Sequence, residues 1–239
     1  MGCVDIIFKW TSIKLGESSN TAFQSSVYDF YDKLFSFLIS KQYLFWDHEA
    51  DVVMPLFCDR VGNNNATLRQ KVKSIIKQCF EMLDPKRCLL LLIKYGANNK
   101  NLKSAGEALD EIAIYLRNTG QVPFGEAQIK TIAKLVDSKD PSVRENSIQC
   151  LAEIYKVLDE DIWRVVGQVP LKVKGLMEQR FRKVKGGTAN QLTMSRGPNN
   201  TTPAKKPSPR RGGAAASGGQ AELTKSFNPG LKNTQTPRN

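Results

Sequence analysis

The chain has 239 residues, and its 35 lysines and arginines against 23 aspartates and glutamates give a formal net charge of +12. Hydrophobic residues make up 41% of the sequence, enough for a folded core of one or two domains, which excludes a chain disordered throughout. No apolar run approaches the roughly 18–20 residues that a membrane span needs, so we expect no membrane partner.

The N-terminus and the cysteines predict a cytoplasmic protein. Residues 1–5 lack the basic and apolar segments of a secretory signal, and Ile6 stands where a myristoylation motif needs Ser or Thr. None of the five cysteines belongs to a Cys-x-x-Cys pair, and their odd number argues against a disulfide framework. Cys58, Cys79 and Cys150 fall in apolar stretches, where a thiol usually behaves as a small buried hydrophobe. A reducing compartment suits this pattern.

The sequence contains no recognisable catalytic set, and we predict that it is not an enzyme. His48 is the only histidine, and its setting, Trp46-Asp47-His48-Glu49, predicts a surface position at a helix start. One histidine and scattered cysteines are too few for a zinc site. Neither a phosphate-binding P-loop nor a dinucleotide-binding glycine motif is present. We accordingly expect no metal and no cofactor.

Apolar residues recur every three or four positions through most of the chain, which is the period of amphipathic helices. The three clearest stripes are Val72, Ile75, Ile76, Cys79, Phe80 and Leu83; Leu102, Ala105, Leu109, Ile112, Ala113 and Leu116; and Ile148, Leu151, Ile154, Tyr155 and Leu158. Alternating strand patterns are missing, so we predict an all-α fold. The predicted helix pairs cover roughly residues 4–40, 47–83, 84–117, 123–157 and 159–185. Pro55 falls inside the third predicted helix, where we expect a kink.

A nine-residue segment recurs between the predicted helices. Ungapped copies occupy residues 61–69, 95–103 and 136–144, at offsets of 34 and 41 residues, and a weaker copy at 15–23 lies 46 residues upstream. The three stronger copies end in an aliphatic and a basic residue: Leu68-Arg69, Leu102-Lys103 and Val143-Arg144. Such offsets are typical of solenoids built from two-helix repeats.

The third copy shows the physical logic of the repeat. Asp140 can cap the free N–H groups of the helix that follows, and Pro141 suits the first helical position because it has no N–H group. We expect Val143 to face the core and Arg144 to reach a neighbouring repeat or a partner. This Asp-Pro-x-Val-Arg pattern is typical of HEAT repeats, whereas the tetratricopeptide signature is absent. We therefore predict a HEAT-repeat α-solenoid whose intra-pair loops line one edge as the candidate binding surface.

Further segments carry a more specific resemblance. They are Phe8-Lys9-Trp10, Val61-Gly62 to Arg69, Ala108-Leu109-Asp110-Glu111-Ile112, Ile132-Ala133 through Asp140 with Val143-Arg144, and Val165-Val166-Gly167 leading to Met177-Glu178-Gln179-Arg180. In this order, over about residues 5–184, the chain resembles a TOG domain of the XMAP/ch-TOG/mini-spindles family of microtubule polymerases. The fifth TOG domain is the most similar. The family's domains have six helix pairs, and this chain resembles the second pair onward, so the tryptophan loop of the first pair has no counterpart here.

The resemblance implies tubulin binding through the intra-pair loops. Carried over by position, the implied binding residues are Asn63, Asn64, Asn65, Arg69, Asn98, Asn99, Lys100, Lys103, Lys139 and Arg144. Basic and amide side chains suit the acidic surface of tubulin. Arg69, Lys103 and Arg144 have an alternative, purely structural reading, in which they tie adjacent repeats together.

The excess positive charge lies at the C-terminal end. Residues 1–170 hold 21 basic and 21 acidic side chains, whereas residues 171–185 carry +5 and residues 186–239 carry +7. We predict a folded domain over residues 1–185 and a disordered basic tail over 186–239, because Gly, Pro, Ser, Thr and Asn dominate the tail.

The tail has features that suit an acidic polymer. Lys205, Lys206, Arg210 and Arg211 are candidates for binding the acidic microtubule lattice, although the tail also has the composition of a plain linker. Thr202 and Ser208 precede prolines in cyclin-dependent kinase patterns and are candidate phosphorylation sites. Nucleic-acid binding is disfavoured because Phe227 is the only aromatic residue in this segment.

The resemblance, together with the basic tail, implies a microtubule-associated protein that binds tubulin and supports microtubule growth, plus-end dynamics and spindle organisation. Its expected location is the cytoplasm and the microtubule cytoskeleton, including the spindle and the centrosome or spindle pole. Centrosome or kinetochore proteins are further expected partners. The alternative is a generic HEAT-repeat scaffold or adaptor that does not bind tubulin.

Overall fold

The computed structural model describes residues 4–193, with side chains as far as residue 185. Every regular element in that part of the chain is helical, as the apolar spacing predicted. The α-helices are α1 (Val4–Glu17), α2 (Thr21–Ser40), α3 (Asp47–Arg60), α4 (Ala66–Met82), α5 (Pro85–Leu91), α6 (Leu102–Thr119), α7 (Glu126–Lys134), α8 (Pro141–Leu158), α9 (Asp161–Val166) and α10 (Leu171–Thr193). A π-helical segment (Leu92–Ala97) continues α5, and a 3₁₀ turn (Leu135–Asp137) continues α7.

The helices form five consecutive pairs, which confirms the predicted architecture. Each odd-numbered helix is the first of its pair and the next even-numbered helix is the second. First helices pack on first helices, as α1 does on α3, and second helices pack on second helices, as α2 does on α4 and α6 does on α8. This stacking is a HEAT-like α-solenoid. The third helix continues through Pro55, and the last helix extends to Thr193 rather than ending near residue 185.

One apolar core runs through all five pairs. Aromatic rings fill its N-terminal part, where Tyr31 meets Phe35 and Phe57 edge to face at centroid distances of 5.5 and 5.0 Å. The buried hydroxyl of Tyr31 is hydrogen-bonded to the Thr11 hydroxyl, so this polar group does not destabilise the aromatic cluster. Because each pair buries its apolar face only against its neighbours, the fold depends on the whole stack.

The described cysteines are free thiols inside this core, as three of them were predicted to be. Cys58, Cys79, Cys88 and Cys150 are all buried. Burial raises the pKa of the Cys58 thiol to about 12, so the reactive thiolate form is suppressed at neutral pH. These cysteines therefore act as small packing residues.

The second and third pairs are joined by a partly buried ionic cluster between α4 and α6. Lys73, which is 9% exposed, is the central cation of this cluster, and Arg69 also pairs with its Glu107. Its ammonium group lies 2.6 Å from Glu107, 2.9 Å from Asp110 and 3.4 Å from Glu111. Burial opposes the charged form, but the hydrogen bonds to Glu107 and Asp110 raise the pKa of Lys73 overall. The cluster thus holds α4 and α6 at a defined spacing.

Small residues allow the pairs to approach closely next to the loops. A Cβ atom at Gly62, which follows α3, would lie 2.5 Å from Ser104 Oγ and 2.8 Å from the backbone carbon of Lys103, and it would also meet the Ser104 backbone nitrogen. Gly106 on α6 faces the side chain of Ser142 of α8, and an added Cβ there would lie 2.7 Å from Ser142 Oγ. Glycine at these positions therefore determines the spacing of the loops.

We expect Gly62→Ala to lower the free energy of unfolding by about 1–3 kcal/mol, because the added methyl group meets backbone atoms of α6 that cannot move alone. Urea unfolding followed by circular dichroism measures this change. Gly16→Ala is the matched control: nothing lies within 4 Å of a Cβ there, so it gains about 0.5–1 kcal/mol of helix propensity. Equal effects at the two positions would contradict the close contact.

Candidate functional site

The loops that connect the two helices of each pair lie along one edge of the solenoid. They are L1 (residues 18–20), L2 (61–65), L3 (98–101), L4 (138–140) and L5 (167–170). Hydrogen bonds link successive repeats there: Asn63 Nδ2 donates to Gln24 Oε1 at 3.4 Å, and Lys103 Nζ donates to Asn64 Oδ1 at 2.6 Å. The connections between pairs lie on the opposite edge, where the Phe45 N–H donates to the Met82 carbonyl. We call the side that carries L1–L5 the loop edge.

Four of these loops share one turn built from three residues. The third residue caps the following helix through its side chain, and these caps are Asn20, Asn65, Asn101 and Asp140. The first residue accepts a hydrogen bond from the backbone N–H of the cap, and these acceptors are Ser18, Asn63, Asn99 and Ser138. The middle residue is held between them with its side chain exposed, and these residues are Ser19, Asn64, Lys100 and Lys139. We call these four side chains the tip residues.

The caps correct the repeat register that the sequence suggested. Asn20, Asn65, Asn101 and Asp140 are separated by 45, 36 and 39 residues, where the ungapped alignment had 46, 34 and 41. The counterpart of the buried Leu68 and Val143 is therefore Ser104.

The prediction that Leu102 lies in the core is wrong, because Leu102 is the first residue of α6 and is 46% exposed. The reason is steric. Ser104 fits against Gly62 and donates to the Asp59 carbonyl at 2.8 Å, in a space too small for an aliphatic side chain.

Several predicted binding residues have structural partners. Arg69 donates to the Asn63 carbonyl at 2.9 Å and pairs with Glu107 of the next repeat at 3.2 Å. Arg144 donates to the Ser138 carbonyl at 2.9 Å, which is the same contact six residues back along the chain. These two arginines hold their own loops in shape. The structural alternative had them tie adjacent repeats together, and Arg69 does so through Glu107, whereas the contact of Arg144 lies within its own loop. Lys103 contacts Asn64 instead, because in the corrected register the equivalent of both arginines is Ala105.

The predicted asparagines are also used largely in shaping the loops. Asn63 and Asn99 are turn acceptors, and Asn65 caps α4 by accepting from the Thr67 and Leu68 N–H groups at 2.9 and 3.2 Å. Asn98 donates to the Ile93 carbonyl at 3.0 Å. Asn64 is exposed and bonded to Lys103.

Lys100 and Lys139 are the predicted cations that remain available to a partner. Both are exposed tip residues, and neither has a hydrogen bond or an ion pair with any residue in the described part of the chain. Their surroundings differ in charge. Lys139 lies between Asp137 and Asp140 in sequence, whereas Lys100 shares a cleft with Arg60, Lys103 and a single carboxylate, Asp59. The positive potential of the loop edge is therefore concentrated at L2 and L3.

That cleft separates L2 from L3 and has a volume of about 710 Å³. Its lining residues are Asp59, Arg60, Gly62, Asn63, Asn64, Lys100, Asn101, Leu102 and Lys103. Leu102 is the one apolar side chain among them. A shallow, mainly polar and basic cleft at an exposed edge suits contact with an acidic macromolecular surface better than enclosure of a small molecule.

The family model for XMAP215/Dis1/CLASP TOG domains matches residues 17–172 of the chain, a span that contains L1 to L5. The chain belongs to this TOG-domain family. Its TOG domain is similar to Protein MOR1 of Oryza sativa subsp. japonica, with 29% identity over 181 residues that cover 75% of this chain and 9% of that protein. Protein mini spindles of Drosophila melanogaster is 19% identical over 182 residues, covering 76% and 9%. The chain thus spans less than a tenth of the length of these relatives.

Solved structures establish the same fold. The TOG domain of Caenorhabditis elegans Zyg9 superposes with a TM-score of 0.72 at 22% identity, covering 77% of this chain and 68% of that one. A second solved chain, described by the words "TOG-tubulin binding specificity promotes microtubule dynamics and mitotic spindle formation", superposes with a TM-score of 0.70 at 19% identity and covers 75% and 68%.

Sequence reasoning missed part of the loop edge of this TOG domain. Ser19 is a tip residue in L1, and Asn101 caps α6. The sequence does contain a local signal for both. Immediately before α2, α4, α6 and α8 stands a Ser or Asn, which is followed two residues later by an Asn or Asp. Leu102 as an exposed residue had no such signal, because its spacing matches the buried stripe of α6.

The remaining predicted features divide into those inside and those outside the described residues. His48 is exposed at the start of α3, as predicted. Within the described part of the chain no group of His, Cys, Asp and Glu could hold a metal ion, and no described helix is long and apolar enough to cross a membrane. Cys3 and the tail residues Thr202, Lys205, Lys206, Ser208, Arg210 and Arg211 lie outside the described residues.

Loss of the loop-shaping arginines is expected to destabilise the TOG domain. We expect Arg69→Ala to cost about 2 kcal/mol and Arg144→Ala about 1 kcal/mol, because Arg69 loses both a hydrogen bond and an ion pair. Lys100→Ala, which removes no contact, should stay within about 0.5 kcal/mol of the wild type. Urea unfolding of the three variants checks this order. If both arginine variants are as stable as the wild type, Arg69 and Arg144 have no structural role and are available to bind a partner.

Proposed function

We propose that the chain is a non-enzymatic microtubule-associated protein that binds tubulin through the loop edge. The observation that carries this proposal is the row of outward tip residues, with Lys100 and Lys139 free of partners among the described residues, on a domain of the TOG family. The description of a structural relative in terms of TOG–tubulin binding supports it. The binding residues we assign are Asn64, Lys100, Lys103 and Lys139, with Asn63, Asn65, Arg69, Asn98, Asn99 and Arg144 shaping the loops that present them.

Binding of this kind needs several contacts at once. An exposed ion pair contributes about 0.2–1 kcal/mol, so no single tip residue suffices for a stable complex. The spacing of the tips is therefore as important as their charge, and Gly62, Gly106 and the Lys73 cluster hold that spacing. A rigid row of weak contacts favours a partner with an extended acidic surface, such as the tubulin dimer or the microtubule lattice.

We further propose that the domain corresponds to the fifth TOG domain without its first HEAT repeat. The two solved relatives are each covered to 68%, so both contain chain that has no counterpart here. No described loop on the loop edge holds a tryptophan: Trp10 lies within α1, Trp46 precedes α3 and Trp163 lies within α9. We therefore expect weaker binding of soluble tubulin than a six-pair domain would show.

The wider cellular role extends this proposal. We assign the protein to the microtubule cytoskeleton, in support of microtubule growth, plus-end dynamics and spindle organisation, with centrosome or kinetochore proteins as further partners. The names of relatives such as mini spindles support this role. We propose that the basic tail adds lattice affinity through Lys205, Lys206, Arg210 and Arg211.

The main test reverses the charge of the tips. We expect the double variant Lys100→Glu/Lys139→Glu to weaken binding to soluble tubulin at least about tenfold, because two attractions become repulsions at unchanged stability. Lys100→Glu alone should account for most of the loss, since Lys139 already lies beside Asp137 and Asp140. Fluorescence anisotropy with labelled tubulin at low and physiological ionic strength measures both variants.

The matched control is Lys41→Glu/Lys86→Glu, which makes the same charge change with exposed lysines on the opposite edge. We expect this control to retain most of the wild-type affinity. If the two double variants lose affinity equally, binding follows net charge and the loop edge is not the site. If the wild type binds tubulin and both double variants bind it equally well, the assignment of Lys100 and Lys139 is wrong. If the wild type does not bind tubulin at all, the result favours the scaffold alternative.

A second test concerns the tail. Each phosphate at Thr202 or Ser208 adds roughly −1.5 to −2 charge beside the basic residues, so we expect treatment with a cyclin-dependent kinase to weaken microtubule co-sedimentation at low salt. Thr202→Ala/Ser208→Ala should bind like the untreated wild type and resist the kinase effect. Unchanged co-sedimentation of the Thr202→Asp/Ser208→Asp variant would count against the electrostatic role of the tail.

A further inference from the structure

The second helices of successive pairs lie side by side, and most of the contacts between them are balanced in charge. Between α2 and α4, Lys71 pairs with Asp29 at 2.5 Å. Between α4 and α6, Lys73 lies among three carboxylates. Between α6 and α8, Arg117 pairs with Glu153 at 3.1 Å. At each of these contacts a carboxylate on one helix therefore neutralises the cation that faces it from the other.

The contact between α8 and α10 differs from the other three. A groove of about 380 Å³ runs along it, lined by Arg144, Arg180 and Lys183 against a single carboxylate, Glu145. Arg180 pairs with Glu145, so this carboxylate is already used. Lys183 is exposed and has no hydrogen bond or ion pair with any residue that the structure describes. The α8–α10 groove thus carries an excess of positive charge.

One stripe of α10 runs along this groove. Lys172, Leu176, Gln179 and Lys183 follow at intervals of four, three and four residues, which places them on one side of the helix. The last three line the groove, and Lys172 continues the stripe towards L5. All four side chains are exposed, with Leu176 at 41%. The stripe therefore has a cation at each end and an accessible apolar side chain between them.

The α8–α10 groove lies between two described helices, so its exposure does not depend on what precedes α1 or follows α10. A further helix pair stacked on α10 would pack against the opposite side of that helix. By helical spacing that side carries Lys174 and Glu178, which stand about half a turn away from Leu176. The groove would remain open beside it.

We propose that the α8–α10 groove binds an extended acidic segment of a partner polypeptide, with an apolar residue between its carboxylates. Lys172 and Lys183 are eleven residues apart, which is about 17 Å along the helix. An extended chain advances about 3.3 Å per residue, so about five residues span the stripe. Carboxylates near the ends of that segment meet the two lysines, and the apolar residue between them meets Leu176.

The lining of the groove favours a polypeptide over a nucleic acid. None of the seven lining residues is aromatic, so no side chain in the groove can stack on a base. The apolar surface of Leu176 has no matching group on a phosphate backbone. A volume of about 380 Å³ is also small for a partner helix, whose diameter with side chains is roughly 10–12 Å. An extended segment suits this space better.

The groove begins at the loop edge, because Arg144 follows L4 and Lys172 follows L5. A partner held along the loop edge would therefore reach the groove with an acidic segment that extends past L4 and L5. Binding of such a segment does not depend on tubulin binding by the tip residues. The two proposals therefore fail separately.

Fluorescence anisotropy of the full chain tests the groove, with a short fluorescein-labelled peptide in which glutamates flank a central leucine. We expect Lys172→Glu/Lys183→Glu to weaken peptide binding at least about fivefold at physiological ionic strength, because two attractions become repulsions. Leu176→Ser should weaken binding of this peptide about threefold, since an apolar contact is lost. The same substitution should leave binding unchanged for a peptide that has serine in place of leucine.

The matched control is again Lys41→Glu/Lys86→Glu, which makes the same charge change on the opposite edge. We expect this control to retain most of the wild-type affinity for the peptide. The tip variant Lys100→Glu/Lys139→Glu should also retain it while losing tubulin binding, which separates the groove from the proposed tubulin site. Thermal unfolding by circular dichroism verifies that each variant is folded.

Four outcomes would overturn the proposal. A wild type that does not bind the peptide shows that the groove is not a site for acidic segments. Equal losses in the groove variant and the matched control show that the peptide follows net charge. Loss of peptide binding in the tip variant alone places the site on the loop edge. A single-stranded oligonucleotide that binds more tightly than the peptide, and loses affinity in the groove variant, makes nucleic acid the partner instead.

Discussion

Each second helix of this solenoid begins with backbone N–H groups that have no partner inside the helix, and meeting that need shapes the rest of the loop edge. A side-chain oxygen of Asn20, Asn65, Asn101 or Asp140 accepts from the first free N–H groups. The cap in turn needs an acceptor for its own N–H, which is the residue two positions earlier. With the first and third residues bound to backbone, the middle residue is exposed. The row of outward side chains is thus a consequence of helix capping, whether or not a partner binds there.

This constraint separates loop residues that look alike in sequence. Asn63 and Asn64 are neighbours of the same type, but Asn63 accepts from backbone while Asn64 faces outward. The same division places Lys100 at a tip and leaves Arg144 bonded to its own loop. A substitution in the structural group would weaken the proposed tubulin binding indirectly by loosening the loops, whereas a substitution at Lys100 or Lys139 would act without a loss of stability. Stability and binding must therefore be measured together.

The sequence was sufficient for the architecture, because apolar periodicity predicts the helices and the recurring nine-residue segment predicts that they stack in pairs. Periodicity reports which side of a helix is apolar, but it does not report whether anything packs there. Leu102 continues the stripe of α6 and yet points into a cleft, because Ser104, two residues later, meets Gly62 and fills the core position. Ile6, Trp10 and Ile13 of α1 also have the spacing of core residues, and only the structure shows that they are exposed. The tip residues were partly predictable, since capping has a local signature that an ungapped alignment overlooks.

The distribution of charge is consistent with the proposed acidic partner even though the body of the chain is electrically balanced. Most acidic side chains near the second helices already have cations: Glu107 has Arg69 and Lys73, Asp29 has Lys71, and Glu145 has Arg180. At physiological ionic strength charges are screened over roughly 8 Å, so a partner at the loop edge responds to the local residues and not to the zero sum of the first 170. Around L2 and L3 those local residues are Arg60, Lys100 and Lys103 against Asp59. The attraction therefore depends on where acids are absent as much as on where lysines are present, and adding one carboxylate at this cleft would weaken it more than removing a lysine elsewhere.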